Sequence, residues 1–127
     1  MTLLDTSLVV DALRPHTATS RQMRAALAAG ERLGLCTLVL YEWQRGPRRA
    51  EELTAQASLL PAADAWPFGS AEALVAAEIY RAIPRARSRE IDVAIAACAL
   101  VRGASLWTLN PNDFRDIPGL TLYQPPA

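Results

Sequence analysis

Short apolar runs alternate with longer periodic stretches along the whole chain. The apolar runs predict buried strands at residues 2–5, 32–37, 104–109 and 120–123. The periodic stretches predict helices at residues 6–13, 18–29, 38–46, 48–60, 69–83 and 90–103. Strands that alternate with helices and are apolar on both faces indicate an α/β fold of three layers, in which a mainly parallel central sheet is flanked by helices.

The composition indicates a single folded domain. Of the 127 residues 51% are hydrophobic, so one domain with a sizeable core is predicted over residues 1–127. Cys36 and Cys98 lie in apolar surroundings, and we expect two buried free thiols in a reducing cytoplasm. No apolar run approaches the roughly 18 residues of a membrane span, and the first residues do not resemble a signal peptide. The expected location is therefore cytoplasmic.

The charged residues exclude some chemistries. The formal net charge is zero, whereas proteins that bind nucleic acids by charge alone are usually strongly basic. All 13 basic residues are arginines, which excludes phosphoryl-transfer mechanisms that require a lysine. One local cluster, formed by Arg85, Arg87 and Arg89, directly precedes the helix at 90–103. That cluster is either a solvated loop or a rim that contacts phosphates.

Acidic residues follow the predicted strands. Asp5 ends the first strand, and Asn110 and Asp113 lie just past the strand at 104–109. Glu42 follows the second strand by about one helical turn, and Asp92 lies in the first turn of its helix. Because functional groups of α/β folds gather at the carboxyl ends of the strands, four acids are predicted to meet at one edge of the sheet.

Each acid also has a purely structural interpretation. Asp5 is a favourable helix N-cap, and Asp92 would complement the dipole of its helix. Glu42 would be an ordinary solvated glutamate. Asp113 would belong to an Asn-Pro-Asn-Asp turn, and Asp116 is an alternative to it as the fourth acid.

Carboxylates crowded into one cleft repel each other unless protons or cations neutralise them. Oxygen ligands of this kind suit Mg²⁺ or Mn²⁺, and three or four acids can serve one or two ions. Such ions lower the pKa of a bound water and stabilise charge on a phosphate. The only histidine, His16, has no evident partner and is not predicted to act as a base. The pattern therefore favours cleavage of phosphodiesters.

Four stretches of the chain resemble motifs of the PIN-domain ribonucleases, and most closely of the VapC-type toxins of toxin–antitoxin pairs. They are LLDTSLVVDAL with Asp5, TLVLYEWQRG with Glu42, EIDVAIAACALVRG with Asp92, and LWTLNPNDF with Asn110 and Asp113. The resemblance covers essentially the whole chain. It departs from the family pattern at Val39, Tyr41 and Leu109, which leaves a catalytically degenerate PIN-like binding scaffold as the alternative.

The resemblance implies a metal-dependent endoribonuclease that cleaves RNA with a metal-activated water, the four acids holding Mg²⁺ or Mn²⁺. Thr6, Ser7 and Asn110 would support the site with hydrogen bonds. Arg85, Arg87 and Arg89 would contact RNA if their cluster is a phosphate-contacting rim, with a solvated loop as the alternative. It also implies a homodimer and a cognate antitoxin protein through which DNA is bound indirectly. Trp43 and Tyr80 are predicted to pack in the core or a dimer interface, with base stacking as the alternative.

Overall fold

The computed structural model describes residues 1–126; residue 127, the last of the predicted domain, lies outside them. The strands and helices of this part of the chain are β1 (Thr2–Leu4), α1 (Thr6–Ala12), α2 (Ala18–Ala28), β2 (Leu33–Gly34), α3 (Thr37–Gln44), α4 (Ala50–Leu59), α5 (Ser70–Ala82), α6 (Glu90–Val101) and β3 (Ser105–Trp107). Short 3₁₀ helices occupy Ala62–Asp64 and Pro111–Asp113. The predicted α/β class is confirmed.

The three strands form one parallel sheet with β1 in the middle, between β2 and β3. Thr2 pairs with Leu33 on one side and with Ser105 on the other. All three residues of β1 are buried, which explains why this strand is a purely apolar run after Thr2. Since the strands run in one direction, their carboxyl ends lie at the same edge, where Asp5 follows β1 and Thr108 follows β3.

Helix α6 forms the centre of the core. Its residues from Val93 to Ala99 are all buried, and the helix packs against α3, α5 and β3. Its run of alanines permits this close approach on all sides. The prediction of two buried free thiols is confirmed, since Cys98 lies on α6 and Cys36 directly precedes α3. None of the helices in residues 1–126 combines the length and the apolar character that a bilayer crossing requires.

Two predicted strands are wrong in extent. The strand predicted at 32–37 is only Leu33–Gly34, because the chain turns away from β1 before α3 begins. Cys36 then forms a single parallel bridge to Trp66 instead of continuing along β1. The strand predicted at 120–123 is reduced to one bridge between Leu122 and Leu106.

Candidate active site

Asp5 is the buried carboxylate at the end of β1, with only 5% of its surface exposed. Its Oδ1 accepts a hydrogen bond from the backbone N–H of Thr6 at 2.8 Å, so Asp5 does serve as the N-cap of α1. Its Oδ2 accepts hydrogen bonds from the hydroxyls of Thr108 at 2.7 Å and Ser7 at 3.1 Å. Burial raises the pKa of Asp5, and these three hydrogen bonds oppose the rise. The carboxylate is therefore held in one orientation.

Glu42 reaches the same place from α3. The hydroxyl of Thr6 donates a hydrogen bond to Glu42 Oε1 at 2.6 Å. Because Thr6 directly follows Asp5, this bond fixes the second carboxylate beside the first. Arg45 lies 3.7 Å from Glu42 Oε2, a long and largely exposed ion pair that contributes little.

Asp92 lies in the first turn of α6 and is half-buried. Burial raises its pKa, and the negative charges of Asp5, Asp113 and Glu42 raise it further, to about 6. Arg89 opposes this rise. Asp92 therefore lies close enough to the other three acids to be repelled by their charges in the folded protein.

Asp113 is positioned by an ion pair that the sequence does not reveal. Arg89 binds both carboxylate oxygens of Asp116, at 2.7 and 2.9 Å, and its Nη2 also donates a hydrogen bond to the backbone carbonyl of Asp113 at 2.8 Å. Arg89 directly precedes α6, so it joins the segment carrying Asp113 to the helix carrying Asp92. The Arg89 guanidinium lowers the pKa of Asp116. Because Asp116 is occupied in this way, Asp113 is the better candidate for the fourth acid.

The other predicted site residues have different surroundings. Arg85 and Arg87 are exposed, and neither forms an ion pair within residues 1–126. Asn110 donates a backbone hydrogen bond to Thr108 Oγ1 at 3.0 Å, whereas its side chain makes no hydrogen bond in the described chain. Trp43 is fully buried, as the core interpretation predicts, and Tyr80 is 39% exposed.

Thr108 is the site residue that sequence reasoning missed. Its hydroxyl donates to Asp5 Oδ2, accepts from Asn110 N, and lies 3.4 Å from the hydroxyl of Ser7. Its only signal in the sequence is that a hydroxyl residue comes directly after the strand that ends at Trp107. Its partner Asp5, which directly follows β1, is 103 residues away in the chain.

The side chains of this site have the chemistry of ligands for a divalent cation. They supply carboxylate and hydroxyl oxygens, the ligands that Mg²⁺ prefers. Within residues 1–126, no three His, Cys, Asp or Glu side chains converge on a point where all could ligate one ion. Mg²⁺ keeps several waters and is commonly bound by one or two carboxylates. The residues therefore fit an ion held directly by a pair of acids, with the others acting through water.

Comparison with known proteins gives matches over nearly the whole chain. A family model described as "PIN domain" matches residues 2–120. The chain is 31% identical to Ribonuclease VapC19 of Mycobacterium tuberculosis over an alignment 135 residues long. This alignment covers 99% of each protein.

Solved structures with a similar fold are also found. VapBC2 from Rickettsia felis bound to a DNA fragment from its promoter has a TM-score of 0.75 and 24% identity, over 96% of each chain. FitAcB from Neisseria gonorrhoeae has a TM-score of 0.72 and 21% identity, over 98% of each chain. At these sequence identities, the similarity to the solved structures shows that the folds are alike and nothing more.

Proposed function

Because the chain belongs to the PIN-domain family, we propose that it is a ribonuclease and the toxin of a type II toxin–antitoxin pair. The family membership rests on the family model and on the full-length relative, which is itself named a ribonuclease. The observation that carries the proposal is the arrangement of Asp5 and Glu42 around Thr6, together with the half-buried Asp92, whose pKa is raised by burial and by the charges of the other acids. Such repulsion is costly in a folded protein unless a cation or protons neutralise it.

We further propose that the activity depends on Mg²⁺ or Mn²⁺, as one or two ions. Asp5, Glu42, Asp92 and Asp113 would hold the cation, and their oxygen-only chemistry supports this choice over zinc. When bound, the ion would increase the acidity of a water and stabilise negative charge on the scissile phosphate. Burial and the neighbouring acids raise the pKa of Asp92 to about 6, so a cation would compete with a proton for this carboxylate.

The protein's own residues prepare this site. Thr6, Ser7 and Thr108 direct their donors at the Asp5 carboxylate, so that little reorganisation is needed when it engages a ligand. The Thr6 hydroxyl at the same time orients Glu42. Arg89 holds the Asp113 segment against α6 and leaves the carboxylate of Asp113 exposed.

The proposed substrate is single-stranded or looped RNA, since unpaired strands can enter an open cleft that a duplex cannot. The similar fold of VapBC2 from Rickettsia felis, which is bound to promoter DNA, supports an antitoxin partner that carries the DNA contact. A homodimer remains part of the proposal by family resemblance.

Cleavage of an RNA pool by the purified chain tests the proposal. We expect cleavage with Mg²⁺ or Mn²⁺, none with EDTA, and none with Asp5→Asn under any of these conditions. Asp11→Asn is the matched control, because it makes the same substitution on the same helix without touching the acid cluster. A folded wild-type chain that cuts no RNA with either metal would indicate the degenerate scaffold instead.

A further inference from the structure

A surface cavity lies beyond the far end of α1. It has a volume of about 550 Å³ and is lined by Arg14, Pro15, Pro47, Arg48, Arg49 and Glu52. Its walls come from the residues that follow α1 and from the connection between α3 and α4. Three arginines and a single acidic residue thus line one cavity.

The positive charge of this cavity is not neutralised by ion pairs. Neither Arg14, Arg48 nor Arg49 forms a salt bridge with any carboxylate of residues 1–126. Glu52 is buried, and its Oε1 accepts a hydrogen bond from the backbone N–H of Arg49 at 2.8 Å. The one acid is therefore committed to the start of α4, and the three arginine side chains are left without an anionic partner.

Arg48 is held in place without a counter-ion. Its Nε donates a hydrogen bond to the backbone carbonyl of Trp43 at 2.7 Å, and its guanidinium carbon lies 5.0 Å from the centre of the Trp43 ring. A Cβ at Gly46 would come within 2.7 Å of Arg48 Nη2, so the absence of a side chain there makes room for the guanidinium. Its two Nη groups form no hydrogen bond within the described chain. A cation fixed in this way is ready to receive an anion.

The cavity lies along the same two helices as the acid cluster. Helix α1 begins next to Asp5 and ends just before Arg14, and its seven residues span about 10 Å at 1.5 Å per residue. Glu42 and Arg48 are likewise separated by the last turn of α3 and its short connection to α4. An RNA strand that ran along α1 from the acid cluster would pass the arginine cavity at the other end of this helix.

We propose that this arginine cavity binds a backbone phosphate of single-stranded RNA, one or two nucleotides away from the phosphate at the acid cluster. The proposal rests on the proposed ribonuclease function and adds a substrate-binding site to it. Guanidinium groups bind phosphate oxygens in pairs. A cluster of acids alone repels RNA, and a chain of zero net charge supplies no general attraction. A local cluster of positively charged arginine side chains would supply the missing attraction for RNA.

The test is the affinity of a short fluorescent single-stranded RNA, measured by anisotropy over a range of salt concentrations with EDTA present to prevent cleavage. We expect Arg14→Ala and Arg48→Ala each to weaken binding about threefold to tenfold and to reduce the slope of log K against log salt by about 0.7. Arg24→Ala, which removes the same charge from the exposed face of α2, is the control and should leave the slope unchanged. Gly46→Ala should weaken binding without any change in net charge, because it displaces the Arg48 guanidinium.

Equal losses in Arg24→Ala and in the cavity variants would overturn the proposal, since the effect would then be one of total charge. Unchanged RNA affinity in the cavity variants, with cleavage by the wild-type chain intact, would overturn the cavity and leave the ribonuclease function standing. If the cavity variants lose affinity for a polyglutamate peptide but not for RNA, the cavity serves an acidic protein partner and the proposal is wrong. A wild-type chain that neither binds nor cleaves RNA would refute both proposals together.

Discussion

Replacing Asp92 by asparagine should stabilise the metal-free protein at neutral pH. The pKa of Asp92 rises from 3.8 to about 6 because the carboxylate is half-buried and faces the charges of Asp5, Asp113 and Glu42. The folded state therefore favours the neutral form of Asp92. This preference is fully expressed below pH 3.8 and is lost as the pH rises through about 6, where the folded protein is forced to carry the charge. Asparagine is neutral at every pH and avoids this loss.

The size of the stabilisation by Asp92→Asn follows from the shift in the pKa of Asp92. About two pKa units correspond to roughly 3 kcal/mol, at 1.36 kcal/mol per unit. Asp92 is only half-buried, so solvent screening reduces this figure to about 1–2 kcal/mol. For a domain of this length, the melting temperature should rise by about 3–8 °C.

Thermal unfolding in EDTA at pH 4.5 and pH 7.5 measures the difference. The gain in Asp92→Asn should be largest at pH 7.5 and fall to about a third of that size at pH 4.5. Asp64→Asn is the control, since Asp64 is an exposed aspartate outside the cluster. If Asp92→Asn melts at or below the wild-type temperature at pH 7.5, the four acids do not repel each other as the geometry indicates.

Further predictions concern the same site. Mn²⁺ at millimolar concentration should raise the melting temperature of the wild-type chain, and the rise should be smaller in Asp92→Asn. The rise should grow between pH 5 and pH 7 as Asp92 loses its proton. A rise that does not depend on pH would contradict the competition between Mn²⁺ and the proton on Asp92. Thr108→Val should lower Mn²⁺ affinity about tenfold in calorimetric titration, because the hydroxyl that orients Asp5 and lowers its pKa is lost; an unchanged affinity would remove Thr108 from the site. Arg89→Ala should reduce RNA cleavage with little change in melting temperature, since its ion pair is partly exposed but holds the Asp113 segment; full cleavage activity in this variant would show that the segment needs no such anchor. Expression of the wild-type chain without an antitoxin should arrest bacterial growth, whereas Asp5→Asn should be harmless; equal growth of the two strains, with both proteins folded, would count against a toxin.

The local patterns of the sequence were sufficient for the order of strands and helices and for the position of Asp5. Asp5 follows an apolar run that is buried on both faces, and a helix begins at the next residue, so its place at the sheet edge follows from neighbouring residues alone. Asp92 is similarly placed by the start of its own helix. These predictions needed no knowledge of how distant parts of the chain meet.

The features that the sequence did not reveal depend on contacts between residues that are far apart in the chain. Thr108 acquires its role only because β3 pairs with β1, and Arg89 only because Asp116 meets it from 27 residues further along the chain. Before these contacts are known, Arg89 is one exposed arginine among three in its loop. The same reason explains the errors in strand length, since a bridge such as Leu106 to Leu122 depends on where a distant segment lies.

The pairing of β1 with β3 has a consequence for protein synthesis. The ribosome makes Asp5 well before Thr108, whose hydroxyl orients it from 103 residues later in the chain. Until that residue has been synthesised and β3 has docked beside β1, the first carboxylate lacks one of its three donors and Asp113 does not yet exist. A nascent chain therefore cannot assemble the acid cluster before the segment that carries Thr108 and Asp113 has been synthesised. If the cluster cuts RNA, this order of assembly delays cleavage of the template until that segment has been made.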